Sequence, residues 1–213
     1  MLNKQSALIA DDHPLFRAAL NQVLSEQLGL NVQQANDFKQ TQAYLNMHPD
    51  TDLLCLDLNM PDSDGLGGIT SIRAEFPNTL IIVVSADENQ STISKCIALG
   101  ASAFIPKSVG LESISEAVRA VLDGEQWLPP DYQISGDFEQ ENRELRLLET
   151  LTPHQLKVLN MIAGGLLNKQ IAYELNISES TVKQHASAVL KKLGVNNRTQ
   201  AGIMYKQMMS IDA

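Results

Sequence analysis

Five side chains in the first half of the chain stand where an apolar run stops. Asp57 closes "LLCL" and is followed at once by Asn-Met-Pro and an Asp/Gly-rich turn ("DLNMPDSDG", 57–65). Asp11 and Asp12 close "ALIA", Ser85 closes "TLIIVV", and Lys107 follows "FIP". A carboxylate inside an apolar strand is costly to desolvate. At the carboxyl end of a strand in an open α/β sheet it faces the crevice where ligands bind. Taken singly, each residue has a structural explanation: Asp57, Asp11 and Asp12 as turn acids, Ser85 as a strand-end serine, Lys107 as a solvated lysine. Taken together they make a set. With the first and third strands adjacent, three carboxylates meet, and like charges that close repel unless a cation sits among them. A hard divalent ion with oxygen ligands, Mg²⁺ above all, suits such a group. The chemistry this set fits is transfer of a phosphoryl group onto a carboxylate. Asp57 would be the nucleophile, with Asp11, Asp12 and the metal holding the phosphoryl oxygens. Lys107 would neutralise one of those oxygens and Ser85 would donate a hydrogen bond.

The elements that must position these residues follow from the pattern of the first ~125 residues. Five apolar runs ("ALIA", "NVQQA", "LLCLD", "TLIIVVS", "AFIP") are each followed by a helical pattern. That alternation predicts a five-stranded, doubly wound parallel sheet with helices on both faces. In the first helix Leu15, Ala19, Val23 and Leu24 fall at helical spacing as the apolar stripe. Asp37 is placed to cap the second helix and Gly100 to stop the fourth. "GLGG" at 65–68 makes the start of the third helix unusually rich in glycine.

Pro129-Pro130 then breaks the structure, and acids and amides dominate up to residue 150, with helical character in "FEQENRELRLL". From Leu151 onward strand patterns are absent. Thr152 and Pro153 open one helix, "NKQIAYEL" is a second, Ser178 and Gly194 bound a third, and "RTQAGIMYKQMM" is a fourth. The division is therefore 1–128, a linker at 129–150, and a smaller all-α domain of four helices at 151–213.

Net charge divides along the same line. Residues 1–130 carry 7 Lys/Arg against 16 Asp/Glu, and residues 151–213 carry 7 against 3. An acidic front and a basic back point to two domains with different partners, despite an overall charge of −9. No apolar run reaches the ~20 residues of a membrane span, and the N-terminus lacks the pattern of a secretory signal. The expectation is a cytoplasmic protein without a membrane partner. Cys55 and Cys96 sit in apolar contexts at no metal-binding spacing and read as core thiols.

The third helix of the basic domain has two faces. Val182, Val189, Leu190 and Leu193 share one stripe, with Ala186 beside it. Lys183, Gln184, Ser187 and Lys191 lie opposite, a face without acids that can enter a major groove. With "NKQIAYELN" before it and "NIS" as the turn, the pair reads as a helix-turn-helix.

The residues "ADD" (10–12), "LDLNMPDSDG" (56–65), "VVSA" (83–86) and "FIPKS" (104–108) resemble the CheY-like, flavodoxin-like receiver domain of two-component response regulators. The resemblance implies that a sensor histidine kinase phosphorylates Asp57. It also implies Mg²⁺ on Asp11, Asp12, Asp57 and the backbone carbonyl of Asn59. Ser85 and Phe104 hold the family's switch positions, a hydroxyl that moves toward the phosphate and an aromatic that follows it inward. Asn59 and Asp87 occupy positions that tune the lifetime of the phosphorylated state. "LTPHQLKVLNMIAGGLLNKQIAYELNISESTVKQHASAVLKKLGVNNRTQA" (151–201) resembles the LuxR-type DNA-binding domain of NarL/FixJ regulators. That likeness implies a recognition helix at 178–192, with Lys183, Gln184 and Ser187 near base edges and Lys169, Thr181 and Lys191 on phosphates of double-stranded DNA. It also implies a homodimer contact on the last helix through Ile203, Met204 and Met208. Gln155 replaces the family's usual glutamate, and Ser187 stands where a longer residue is common, so operator preference is not inherited. The resemblance describes a transcription regulator, not an enzyme. Two rivals stand beside it. One is a constitutive regulator whose receiver is degenerate and only binds a partner or dimerises. The other is a haloacid-dehalogenase-like phosphohydrolase, which would want an acid where this chain has Asn59.

Overall fold

The computed structural model describes residues 4–63, 65–132, 145–148 and 150–209. The chain divides into two compact units, Met1–Ser135 and Gly136–Ala213.

In the first unit the strands are β1 (Ser6–Ala10), β2 (Asn31–Ala35), β3 (Leu53–Asp57), β4 (Leu80–Ser85) and β5 (Ala103–Pro106). All pair in parallel in the order β2-β1-β3-β4-β5. The helices between them are α1 (Pro14–Asn21, prolonged by a π-helical turn at Gln22–Gln27), α2 (Phe38–Met47), α3 (Leu66–Glu75), α4 (Gln90–Ala98) and α5 (Leu111–Leu122). Strand side chains alternate between the two faces. Ala7, Ile9, Leu53, Cys55, Ile82, Val84, Ala103 and Ile105 pack on one side against Leu20, Val23, Leu24, Ile114, Ala117, Val118 and Val121. The alternate residues Leu8, Leu54, Leu56, Ile81, Val83 and Phe104 are buried toward the other side. Strands buried on both faces must be apolar up to the rim, as β3 and β4 are before Asp57 and Ser85.

Asp37 caps α2 by accepting from the Gln40 backbone N–H at 2.7 Å, and Gly100, at φ +95°, ends α4 in a conformation that favours glycine. Leu15 departs from the predicted stripe. It is 88% exposed, in the first turn of α1, while Phe16 and Leu20 turn to the core. The glycines at the start of α3 have a packing role. A β-carbon at Gly68 would come within 3.0 Å of Phe38 Cε2, so the glycine lets α3 approach the ring that opens α2. The outer edge of β5 is partly closed by Trp127, whose N–H donates to the Ser102 carbonyl (3.2 Å) and whose carbonyl accepts from Phe104 N–H (3.3 Å). The chain continues to Tyr132, whose hydroxyl lies 2.6 Å from Ser94 Oγ on α4.

The second unit has helices α6 (Pro153–Ala163), α7 (Asn168–Glu174), α8 (Glu179–Leu193) and α9 (Arg198–Met209). Thr152 and Gln155 form a reciprocal capping box at α6, so the glutamine supports the cap as a glutamate would. Ser178 accepts from Thr181 N–H at the start of α8, and Gly194 ends that helix in the left-handed region at φ +68°. Val158, Ile162, Ile171, Ala172 and Val182 form the core between α6, α7 and α8. Arg198 fastens the start of α9 to the Leu166 carbonyl (2.5 Å) and Asn168 Oδ1 (3.1 Å). Residues 145–148 are helical, with Leu145 and Leu148 buried. The earlier part of the helical pattern at 138–148 lies outside the described residues.

Candidate functional site

Strand register carries the site. Ala10 pairs with Leu56, Asp57 with Val84, and Ser85 with Pro106. The residues that follow or end these pairings, Asp11, Asp57, Ser85 and Lys107, therefore stand at one rim of the sheet. Asp11 and Asp57 are each 1% exposed. Lys107 Nζ lies 2.8 Å from Asp11 Oδ2 and 2.8 Å from Asp57 Oδ2, and 5.3 Å from the centroid of the Phe16 ring. Asn59 N–H donates to Asp57 Oδ1 at 3.1 Å, and His13 N–H to Asp11 Oδ1 at 2.7 Å. Arg17 holds the connecting loop through the Asp11 carbonyl at 2.6 Å.

Three carboxylates face one ammonium, which leaves a deficit of two positive charges that one divalent ion would supply. Oxygen donors of Asp11, Asp12 and Asp57, with a nitrogen of His13, all lie within 4.8 Å of one another. Among the described residues, no hydrogen-bond donor is aligned on the buried atoms Asp11 Oδ2 and Asp12 Oδ1. Lys107 Nζ approaches the first as an ion pair only, at 2.8 Å. Hard oxygens left without donors are the ligands such an ion requires, so the residues fit a bound metal.

Ser85 is fully buried, and its Oγ accepts from Asp87 N–H at 3.1 Å, which leaves its O–H to donate elsewhere. Asp87 is held in turn by Thr92 Oγ1 (2.7 Å) and Asn89 N–H (2.9 Å). Phe104 is also fully buried.

Sequence reasoning missed His13. Its Nδ1 is 2.7 Å from Asp12 Oδ1, 3.2 Å from Asp11 Oδ1 and 3.7 Å from Asp57 Oδ2. The available signal was its position directly after two strand-end acids and before the Pro14 that starts α1.

In the second unit α8 turns Val182, Val189 and Leu193 inward and leaves Lys183, Gln184, Ser187 and Lys191 exposed. Lys169 is exposed at the start of α7. Thr181 is half-buried, with its hydroxyl 2.8 Å from Ser178 Oγ. Asn176, at φ +52°, makes the tight turn between α7 and α8 in a conformation asparagine tolerates. On α9 Ile203 is exposed and Met204 half-buried, but Met208 is 5% exposed. Met208 is thus buried, while Ile203 and Met204 keep accessible surface.

Comparison with known proteins finds two family matches along the chain. Residues 7–119 match the response regulator receiver domain, and residues 149–205 match the bacterial regulatory proteins of the luxR family. The chain belongs to the LuxR-type two-component response regulators. The regulator is 41% identical over 202 residues to a glycerol metabolism activator of Pseudomonas putida, covering 91% of each chain. It is 34% identical over 201 residues to the nitrate/nitrite response regulator NarP of Escherichia coli K12, covering 94% of each. A structure of RcsB from Salmonella enterica serovar Typhimurium, bound to a promoter in the presence of phosphomimetic BeF3−, matches at 25% identity with a TM-score of 0.57. The match covers 98% of the regulator and 100% of that chain. A second RcsB structure, of two dimers on two parallel DNAs, matches at 27% identity and a TM-score of 0.56, covering 98% and 100%. A receiver and a DNA-binding helix-turn-helix on one chain are the parts of a transcription regulator. Among the described residues no helix is long and apolar enough to cross a membrane.

Proposed function

We propose that the regulator is switched by phosphorylation of Asp57 from a sensor histidine kinase, and that the switch governs sequence-specific binding to double-stranded DNA. The observation that carries this reading is the shared ammonium, with Lys107 Nζ 2.8 Å from both buried carboxylates. A lysine so placed can leave a carboxylate for an equatorial phosphoryl oxygen without leaving the site. Asn59 N–H holds Asp57 Oδ1 and fixes the plane of the nucleophile. Transfer breaks the P–N bond of a phosphohistidine and forms a P–O bond to Asp57. Asp11, Asp12, Asp57 and the Asn59 carbonyl would hold Mg²⁺, which when bound supplies positive charge to the phosphoryl oxygens. Ser85, with its O–H available, donates to the new group. The dianionic product needs several kcal/mol of preference for one receiver state to move the protein from mostly off to mostly on.

On this reading the receiver occupies residues 1–128, the connection 129–150 and the DNA-binding domain 151–213. Lys183, Gln184 and Ser187 meet base edges, while Lys169, Thr181 and Lys191 meet phosphates. The active form is a homodimer through the helix that carries Ile203, Met204 and Met208, a reading supported by the dimers in the RcsB structure on DNA. Two free, buried cysteines suit a reducing cytoplasm, and the output is DNA binding, not turnover. The test is a DNA-binding titration before and after treatment with kinase or acetyl phosphate. Wild type gains affinity or occupancy and Asp57→Asn does not. An Asp57→Asn protein that responds as wild type does would reject the proposal.

A further inference from the structure

We propose that His13 is a ligand of the cation site, and that it tilts the site from Mg²⁺ toward nitrogen-seeking transition-metal ions. This rests on reading the carboxylate cluster as a cation site and adds a ligand to it. His13 is the residue before α1, where a polar side chain ordinarily caps the helix, yet its ring makes no capping hydrogen bond. The ring instead folds over the cluster while remaining 63% exposed. Its backbone is held there by the bond from His13 N–H to Asp11 Oδ1.

The contacts of Nδ1 conflict without a cation. It is hydrogen-bonded to Asp11 Oδ1 at 3.2 Å, which asks it to donate, and lies 3.2 Å from Lys107 Nζ, which can only donate and so asks it to accept. One ring nitrogen cannot do both. A cation among the acids resolves the conflict, because the carboxylate oxygens and the nitrogen lone pair then share one acceptor of electrons. The spacing is suitable. Adjacent ligands of an octahedral ion with bonds of about 2.1 Å are about 3 Å apart. His13 Nδ1 is 3.2 Å from Asp11 Oδ1 and 2.7 Å from Asp12 Oδ1. Asp11 Oδ2 is taken by Lys107 Nζ at 2.8 Å, which leaves Oδ1 as the oxygen of Asp11 beside the imidazole. A site of carboxylates alone suits Mg²⁺ and Mn²⁺, whereas an imidazole suits nickel, cobalt or zinc.

The experiment measures Mg²⁺ and Ni²⁺ binding to the full chain by calorimetry, for wild type and His13→Ala. Removing a ligand lowers Ni²⁺ affinity at least about tenfold, as even outer-shell changes can, while Mg²⁺ affinity changes less than about twofold. Retained Mg²⁺ binding also shows that the variant is folded. Pulsed electron paramagnetic resonance on the Mn²⁺ form gives a second readout, a ¹⁴N coupling in wild type that is lost in His13→Ala. Equal loss for both metals, no loss for either, or no ¹⁴N coupling in wild type overturns the proposal while leaving the cation site intact. Failure of wild type to bind any of these ions overturns the cation site itself.

Discussion

Replacing Lys107 by methionine tests the charge balance of the receiver site. The substitution keeps the length of the stem and its contact with the Phe16 ring but removes the ammonium shared by Asp11 and Asp57. Two contacts at 2.8 Å are each worth about 6 kcal/mol at an effective dielectric constant of about 20, before desolvation. Desolvation of a lysine that is 14% exposed offsets several kcal/mol of that sum. Removing one partner of a buried ion pair costs about 3–5 kcal/mol, because the other charge is left uncompensated. The expected cost is therefore about 3–5 kcal/mol in EDTA. Saturating Mg²⁺ puts two positive charges where one was lost, so it stabilises Lys107→Met more than wild type and recovers at least half of the loss. Urea unfolding followed by Trp127 fluorescence is the assay. Trp127 is the only tryptophan and lies in the first unit, bonded to the edge of β5, so the signal reports the receiver. A loss below about 1 kcal/mol in EDTA, or an equal Mg²⁺ shift in both proteins, would refute the reasoning.

Burial pushes the Cys55 thiol up to about 12 and raises Cys96 further, the latter also through the Asp87 carboxylate. Neither thiol should react with iodoacetamide at pH 8 until urea is added, as intact mass will show. Their linkage contribution is fully present below pH 9 and falls as pH rises toward 12, because the unfolded thiols ionise first. Cys55→Ala should accordingly show a shallower alkaline loss of melting temperature than wild type. Gly68→Ala drives a methyl to 3.0 Å from Phe38 and should cost about 1–3 kcal/mol in urea unfolding. Lys191→Ala should lower the slope of log affinity for DNA against log salt by about 1. Lys192→Ala should leave that slope unchanged and lower stability, because Lys192 Nζ is bonded to the Thr150 carbonyl (2.6 Å) and Gln155 Oε1 (2.8 Å).

How much of this was legible in the sequence depends on the kind of signal. Strands such as "LLCLD" and "LIIVVS" announce themselves because burial on both faces allows only apolar residues until the rim. For the same reason the polar residue at each strand end marks the site, and Asp11, Asp57 and Lys107 meet as their positions imply. Helix caps at Asp37, Thr152 and Ser178 were also readable, since each is a local interaction within four residues. Features that depend on tertiary neighbours were not readable. Leu15 fits the helical period but falls on the solvent side of α1. Trp127 carries no local signal for strand pairing and serves as an edge partner for β5. Lys192 has no local signal for its role, since its ammonium closes the start of α6 from a distant helix. Gly68 suggested a loose helix start, and only the Phe38 ring explains it. His13 escaped because a lone histidine is ordinarily a surface or packing residue, and its meaning comes from the three acids gathered around it.

The central claim is that Asp57 carries the modification that switches the protein. Incubation of the full chain with acetyl phosphate and Mg²⁺, followed by intact mass measurement, addresses it most directly. The account predicts a single gain of about 80 Da in wild type, absent with EDTA and absent in Asp57→Asn. No gain in wild type, or the same gain in Asp57→Asn, would contradict it.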